Sequence, residues 1–160
     1  MTVRIVPATE GDVPLILRLI LALAEYEKLA AAVTATEDTL HRSLFGPQKA
    51  AEVVLAYVDD EPAGFAVFFE NFSTFLGVPG LYLEDLFVVP KWRRHGIGRR
   101  LLVHLARTAV ERGCGRVEWT VLDWNEPAIT FYRSIGARAM DDWTIYRLTG
   151  ASLDALATGD

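Results

Sequence analysis

A mixed α/β sheet is the fold this sequence predicts, on three observations. Short β-rich runs alternate with stretches of helical period, the runs are bounded by glycine, proline and acidic turn residues, and no repeat, low-complexity tract or linker interrupts the alternation. The 160 residues are 51% apolar and 23% charged, with a mean hydropathy of +0.21. That is the size and composition of one globular domain, expected to span residues 1–160.

Val3 to Val6 read as a short strand stopped at Pro7, and Thr9-Glu10-Gly11-Asp12 supplies capping residues for a helix running to about Tyr26. Between Val13 and Ala24 that helix is apolar nearly all round, interrupted only by Arg18. Such a surface predicts burial on most sides or a subunit interface, and the stretch is well short of the roughly 20 residues a membrane span needs. Thr36 is an N-cap with Glu37 and Asp38 in the first turn, opening a second short helix that stops near Gly46-Pro47.

Glu52 to Tyr57 and Pro62 to Phe69 are strands joined by Asp59-Asp60-Glu61, and are therefore expected to be antiparallel neighbours. Residues 73–80, with Gly77, Pro79 and Gly80, read as a loop. Residues 81–89 then form a strand ending at Pro90, with two acids, Glu84 and Asp85, inside an apolar run. From Gly96 to Arg112 a helix places Ile97, Leu101, Leu102 and Leu105 on one face, with Gly113 to end it. Residues 117–122 are a strand, Asn125 caps a helix that ends at Gly136, and residues 143–148 are a last strand.

The formal net charge is −5, which argues against a general nucleic-acid binder. Five of the 16 basic residues, Lys91, Arg93, Arg94, Arg99 and Arg100, nevertheless fall within ten positions that hold no acid. A compact positive spot on an acidic chain points to an anionic ligand of limited size. The single cysteine, Cys114, forms no internal disulfide, and with His41, His95 and His104 it shows no zinc-site spacing, so no metal is expected. Met1 to Ile5 alternates as a strand does, without a basic leader or apolar signal core, so neither membrane insertion nor export is expected and a cytoplasmic location is.

Val88 to Leu102 reads strand, basic turn, glycine pair, helix. A helix N-terminus offers unpaired N–H groups and partial positive charge, and glycines let a diphosphate approach the backbone. The third glycine of the dinucleotide fingerprint is missing, Arg100 and Leu101 standing in its place, and there is no Lys-Ser/Thr pair of a nucleotide-phosphate loop. By itself the glycine pair is weak evidence, since glycines at a strand-to-helix turn are more often purely conformational.

Taken with Asn125-Glu126-Pro127-Ala128-Ile129-Thr130-Phe131-Tyr132-Arg133-Ser134-Ile135-Gly136-Ala137, however, the turn Arg93-Arg94-His95-Gly96-Ile97-Gly98 resembles the two hallmark motifs of the GNAT superfamily of N-acetyltransferases, over residues 3 to about 148. The resemblance implies a mostly antiparallel central sheet flanked by helices, with acetyl-CoA in the cleft between two splayed parallel strands. Leu23-Ala24-Glu25-Tyr26-Glu27, Tyr82 to Val88 and Trp124-Asn125-Glu126-Pro127 are similar to the spermidine/spermine and thialysine acetyltransferase branch. On that resemblance, the backbone of Leu86, Phe87 and Val88 pairs with the pantetheine. Arg93, Arg94, His95, Gly96, Ile97, Gly98 and Arg99 hold the pyrophosphate, and Asn125, Pro127, Ala128 and Tyr132 lie toward the reacting end. Tyr26, Glu27, Glu84, Asp85 and Trp119 fall in the amine pocket. A homodimer is implied, with residues of both subunits near each active site. Residues 72–80 depart from the polyamine enzymes; folded over the cleft, this loop suits only small amines, whereas a protein amine calls for an open groove.

The chemistry assigns the same roles. A primary alkylamine has a pKa of about 10.4, so at pH 7 roughly one molecule in a few thousand is the neutral nucleophile that can attack a thioester. Glu84 is the expected base, directly or through water, its pKa raised by desolvation in an apolar strand. Tyr132 has the hydroxyl to protonate the departing thiolate. A core tyrosine bonded to backbone, and a charged strand edge, are the plain structural alternatives for these two. The expected function is acetyl transfer from acetyl-CoA to the primary amine of a diamine, polyamine or lysine-like amino acid such as thialysine, by direct attack. The alternatives are transfer to protein amines and a non-catalytic acyl-CoA-binding regulatory domain.

Overall fold

The computed structural model describes residues 1–159. The chain forms two compact units, residues 1–120 and the residues from Val121 onward. In the first unit a five-stranded sheet runs in chain order: β1 (Val3–Pro7), β2 (Glu52–Val58), β3 (Glu61–Ser73), β4 (Val78–Val88) and β5 (Val117–Glu118). The first four strands pair antiparallel and β5 lies parallel to β4, the mixed and mostly antiparallel sheet expected.

The β2–β3 turn is made by Asp59 and Asp60, both with positive φ (47° and 71°), the two-residue hairpin geometry that short acidic side chains tolerate. Asp59 also fixes β1, exchanging a backbone bond with the Thr2 carbonyl and accepting from the Thr2 N–H at 2.7 Å.

Helix α1 (Val13–Tyr26) and helix α2 (Glu37–Phe45) bury Ile16, Leu19, Leu23 and Leu44 on Val53, Leu55, Phe65, Val67 and Phe87 of one sheet face. Each fully buried Leu, Ile or Phe contributes roughly 1.5–3 kcal/mol, so this cluster is the main cohesive element of the unit. The apolar excess of α1 is absorbed here: Leu15, Ile20 and Ala22 pack against the same cluster, and among its large aliphatic side chains only Leu21 is exposed. Helix α3 (Ile97–Glu111) lies against β1, β3 and β4, burying Ile97, Leu101, Leu102, Leu105 and Ala109, the stripe that its period predicted.

Three expectations need correction. The loop at residues 73–80 is the end of a long hairpin: β3 continues to Ser73, β4 starts at Val78 and only four residues turn between them. Glycine and proline there mark β4's entry, because its ladder to β3 supplies the backbone partners that a loop would lack. The strand at 117–122 shrinks to Val117–Glu118, since β5 pairs with β4 only at Leu81 and Tyr82. Residues 143–148 form no strand; their alternating pattern suits a sheet, but no strand among the described residues pairs with them, and Trp143, Ile145 and Tyr146 are exposed.

The second unit contains α4 (Glu126–Ser134) and α5 (Gly150–Ala157), the latter not anticipated from its weak amphipathic signal. No helix of the described residues is long and apolar enough to cross a membrane.

Candidate active site

Between β4 and β5 the sheet opens. Val89 N–H donates to Ala63 O at 2.9 Å, and Phe87 stands opposite Phe65. In an antiparallel ladder alternate residues face the partner, so the backbone groups of Leu86 and Val88 point the other way, toward the β5 side. With β5 engaged only at Leu81 and Tyr82, that edge has no strand partner among the described residues. Leu86 and the Val88 N–H thus offer the hydrogen-bonding edge that the pantetheine reading of Leu86, Phe87 and Val88 calls for, while the Val88 carbonyl accepts from Arg93.

The strand runs into the basic turn. Arg94 and Gly96 take positive φ (65° and 77°), and His95 Nδ1 lies 2.8 Å from the Arg93 carbonyl, holding the turn in shape. Gly96 is the N-cap of α3 and has no side chain to cap it, so the amides of Ile97, Gly98 and Arg99 meet no intrahelical acceptor. Gly96 is explained by its left-handed backbone. Gly98 is not: a Cβ there would meet only Leu86 and Val88 side chains at 3.8 Å, ordinary contact. Neither packing nor positive φ requires this glycine, and without a Cβ it leaves the backbone of the first turn of α3 open to close approach. A groove of about 630 Å³ continues along α3 past His95, Arg99, Arg100 and Arg107. Arg94, Arg99, Arg100 and Arg107 carry no ion pair among the described residues, whereas Arg4, Lys91, Arg112 and Arg116 are all paired with carboxylates. The turn and the open edge together fit a ligand with a diphosphate at one end and an amide-bearing arm at the other.

On the α1 side of β4 the acids gather. Asp85 stands opposite Val67, a member of the α1 core cluster, and its carboxyl is pushed up to about 6 by burial, then by Glu84 and Glu27. Burial also pushes the Glu27 carboxyl up. Glu84 is placed differently from expectation. The β3–β4 register steps from Val67↔Asp85 to Phe68↔Leu83, leaving Glu84 as the extra residue of a β-bulge, exposed to solvent. The desolvation expected at Glu84 therefore falls on Asp85. A bulge has no residue signature in this strand, so the sequence flags the acid pair without saying which member is buried.

Tyr26 ends α1 beside these acids, its ring 6.5 Å from that of Phe87. Arg93 turns inward: Nε donates to Val88 O at 3.0 Å, and the guanidinium lies 4.8 Å from the Tyr26 ring centroid and 5.4 Å from that of Phe87. Trp119 is half-buried just past the last residue of β5. In the second unit Asn125 is buried and caps α4, its side-chain oxygen accepting from Ala128 N–H at 3.4 Å, with Pro127 in the first turn. Tyr132 is half-buried, its ring against Phe131.

A model of the acetyltransferase (GNAT) family matches residues 20–137, a span running from α1 through the basic turn to the end of α4. This chain belongs to that family. As a member it is an acetyl-CoA-dependent N-acetyltransferase. The chain is 35% identical to an L-ornithine N5-acetyltransferase of Arabidopsis thaliana, over 96% of this chain and 87% of that one. It is 34% identical to a thialysine N-epsilon-acetyltransferase of Bos taurus, over 97% of each. Among solved structures, an integron cassette protein from the mobile metagenome of V. cholerae superposes with a TM-score of 0.82 at 30% identity, covering 98% of both chains.

Proposed function

We propose that this acetyltransferase moves the acetyl group of acetyl-CoA to the primary amine of a small cationic molecule, a diamine, a polyamine or a lysine-like amino acid such as thialysine, by direct attack. The observation that carries this reading is one strand serving two ligands. β4 presents a free backbone edge leading to an uncapped cationic helix start, and the same strand carries Glu84 and Asp85, with Glu27 close enough to act on Asp85. Two or three carboxylates suit a substrate with more than one ammonium group. The relatives named for ornithine and thialysine acetylation support the same class.

The amine must lose a proton to attack, and the acid pair of β4 supplies the acceptor. Asp85, with its pKa near 6, is more basic than an ordinary carboxylate yet ionised at neutral pH, and exposed Glu84 relays or holds the charge beside it. Tyr132 protonates the thiolate, with Asn125, Pro127 and Ala128 shaping its helix. Residues 1–160 act as one acetyltransferase domain, since the family match runs across both units. We infer further a cytoplasmic homodimer that takes no nucleic acid or metal.

The test is steady-state acetylation, read as CoA release, over ornithine, thialysine, spermidine, a simple diamine and peptides bearing α-amine or lysine acceptors. Small amines with a second charged group are expected to show the highest kcat/KM. Turnover of peptides alone would move the substrate to protein amines, and no turnover with measurable acetyl-CoA binding would make the chain a non-catalytic acyl-CoA-binding domain.

A further inference from the structure

The family resemblance places Arg93 among the residues that hold the pyrophosphate, yet its side chain is committed elsewhere. Its Nε–H donates to the Val88 carbonyl at the last residue of β4, and its guanidinium plane lies over Tyr26 and Phe87. The side chain is half-buried, while Arg94 and Arg99 on the same turn are exposed and carry no ion pair. Of the five N–H donors of this guanidinium, Nε–H is given to a carbonyl, and the group itself lies against two aromatic rings on the α1 side of the sheet.

These contacts join three parts of the molecule. Val88 O is one of the backbone groups turned to the open edge of β4, so Arg93 removes it from the set available to a ligand and fixes where that edge ends. Tyr26 is the last residue of α1, next to Glu27, and so belongs to the wall around the acids. Phe87 ties both to the core.

We propose that Arg93 is a positioning residue, not a phosphate ligand: it locks the Tyr26 end of α1 to the Val88 end of β4, and thereby sets the amine's place relative to the thioester. This rests on the acetyl-transfer reading above for its kinetic consequences, but its binding consequence does not. Without the lock, acetyl-CoA still meets Arg94, Arg99 and the amides of α3, while the amine meets a loosened wall, and small displacements of a reacting group cost large factors in rate.

The experiment compares Arg93→Met, Arg93→Lys and Arg99→Met, each checked by thermal melt, with Kd for CoA by calorimetry at two salt concentrations and with kcat and KM for the best amine. CoA affinity is expected to stay within about threefold of wild type in both Arg93 variants and to fall at least tenfold in Arg99→Met, with a shallower salt dependence there only. Amine kcat/KM should drop at least tenfold in Arg93→Met, and Arg93→Lys should not restore it, because an ammonium restores charge but not the planar guanidinium. Tyr26→Leu should show the same loss, and the double variant should be no worse than either single one. A tenfold loss of CoA affinity in Arg93→Met that Arg93→Lys repairs would overturn the proposal, as would fully additive losses in the double variant. If wild type acetylates no amine, the functional reading fails, and the CoA affinities of Arg93→Met and Arg99→Met still decide whether Arg93 is a phosphate ligand. If Arg93→Met fails to fold, Arg93→Gln with Tyr26→Leu gives the same comparison.

Discussion

Asp85 is the residue at which stability and function pull apart. Its carboxyl titrates near 6 in the folded chain against 3.8 as the ordinary value, so the ionised form is disfavoured by folding. The sign follows: this penalty is absent below about pH 4, grows as pH rises through 6 and is complete above it. Asp85→Asn should therefore leave stability unchanged at pH 3.5 and raise it at pH 7.5 by up to about 3 kcal/mol, read from denaturant melts at both values. The same variant should lose amine kcat/KM, and with it the improvement in amine KM between pH 5 and 7 that is expected of wild type. At Glu84, Glu84→Gln should lower kcat/KM most near neutrality and recover at high pH if it relays the proton, whereas a uniform rise in amine KM would show that it only holds charge. Tyr132→Phe should keep acetyl-CoA affinity and lose roughly 10²–10⁴ in kcat, measured by single-turnover acetylation, and near-wild-type kcat would mean that the thiolate leaves unaided.

At the scale of elements, the proposed cofactor site makes a prediction at the start of α3. Gly98 has no packing contact that a methyl group would violate and no left-handed backbone, and it lies in the first turn of a helix. Gly98→Ala should stabilise the chain by about 0.5–1 kcal/mol through lower unfolded-state entropy. It should also weaken acetyl-CoA binding at least tenfold, because the methyl group fills the approach to the amides. Thermal melting paired with calorimetry reads both at once; unchanged affinity would show that the diphosphate does not lie on this turn. The β-rich runs, the helical stripe of α3 and the Thr36 and Asn125 caps were legible in the sequence because each depends on neighbours within a few residues. The reach of β3 and β4, the brevity of β5 and the bulge at Glu84 were not, since they are set by which strand lies alongside.

For the whole molecule, exposed apolar side chains are scattered from Leu21 and Leu29 through Phe72, Phe75 and Val110, but they are densest in the C-terminal segment, where Trp143, Ile145, Tyr146, Leu148, Leu153 and Leu156 are open to solvent. The apolar face of α1, which prompted the expectation of a homodimer, is covered within the protomer, so the motive for pairing passes to this segment. Light scattering coupled to size exclusion should give about twice the 17.8 kDa chain mass at micromolar protein, and a single-chain mass would end the dimer reading. Acetyl-CoA at a hundred times its Kd should stabilise the fold by about 2.7 kcal/mol, seen as a raised melting temperature, because it binds only the native state.

The sequence by itself determined the family, the basic turn and the pool of candidate acids, because motif chemistry is written in local order: Arg93 to Gly98 and Asn125 to Tyr132 are contiguous, and their residue types are the signal. Only the tertiary structure decided where the members of those sets lie and what they touch. Whether Glu84 or Asp85 is buried depends on a register step opposite Val67 and Phe68, and whether Arg93 faces a phosphate or Tyr26 depends on where α1 ends relative to β4. Such outcomes turn on contacts between residues some fifteen to seventy positions apart, and burial, the quantity that shifts a carboxyl's proton affinity or turns a guanidinium inward, exists only once those distant segments have packed.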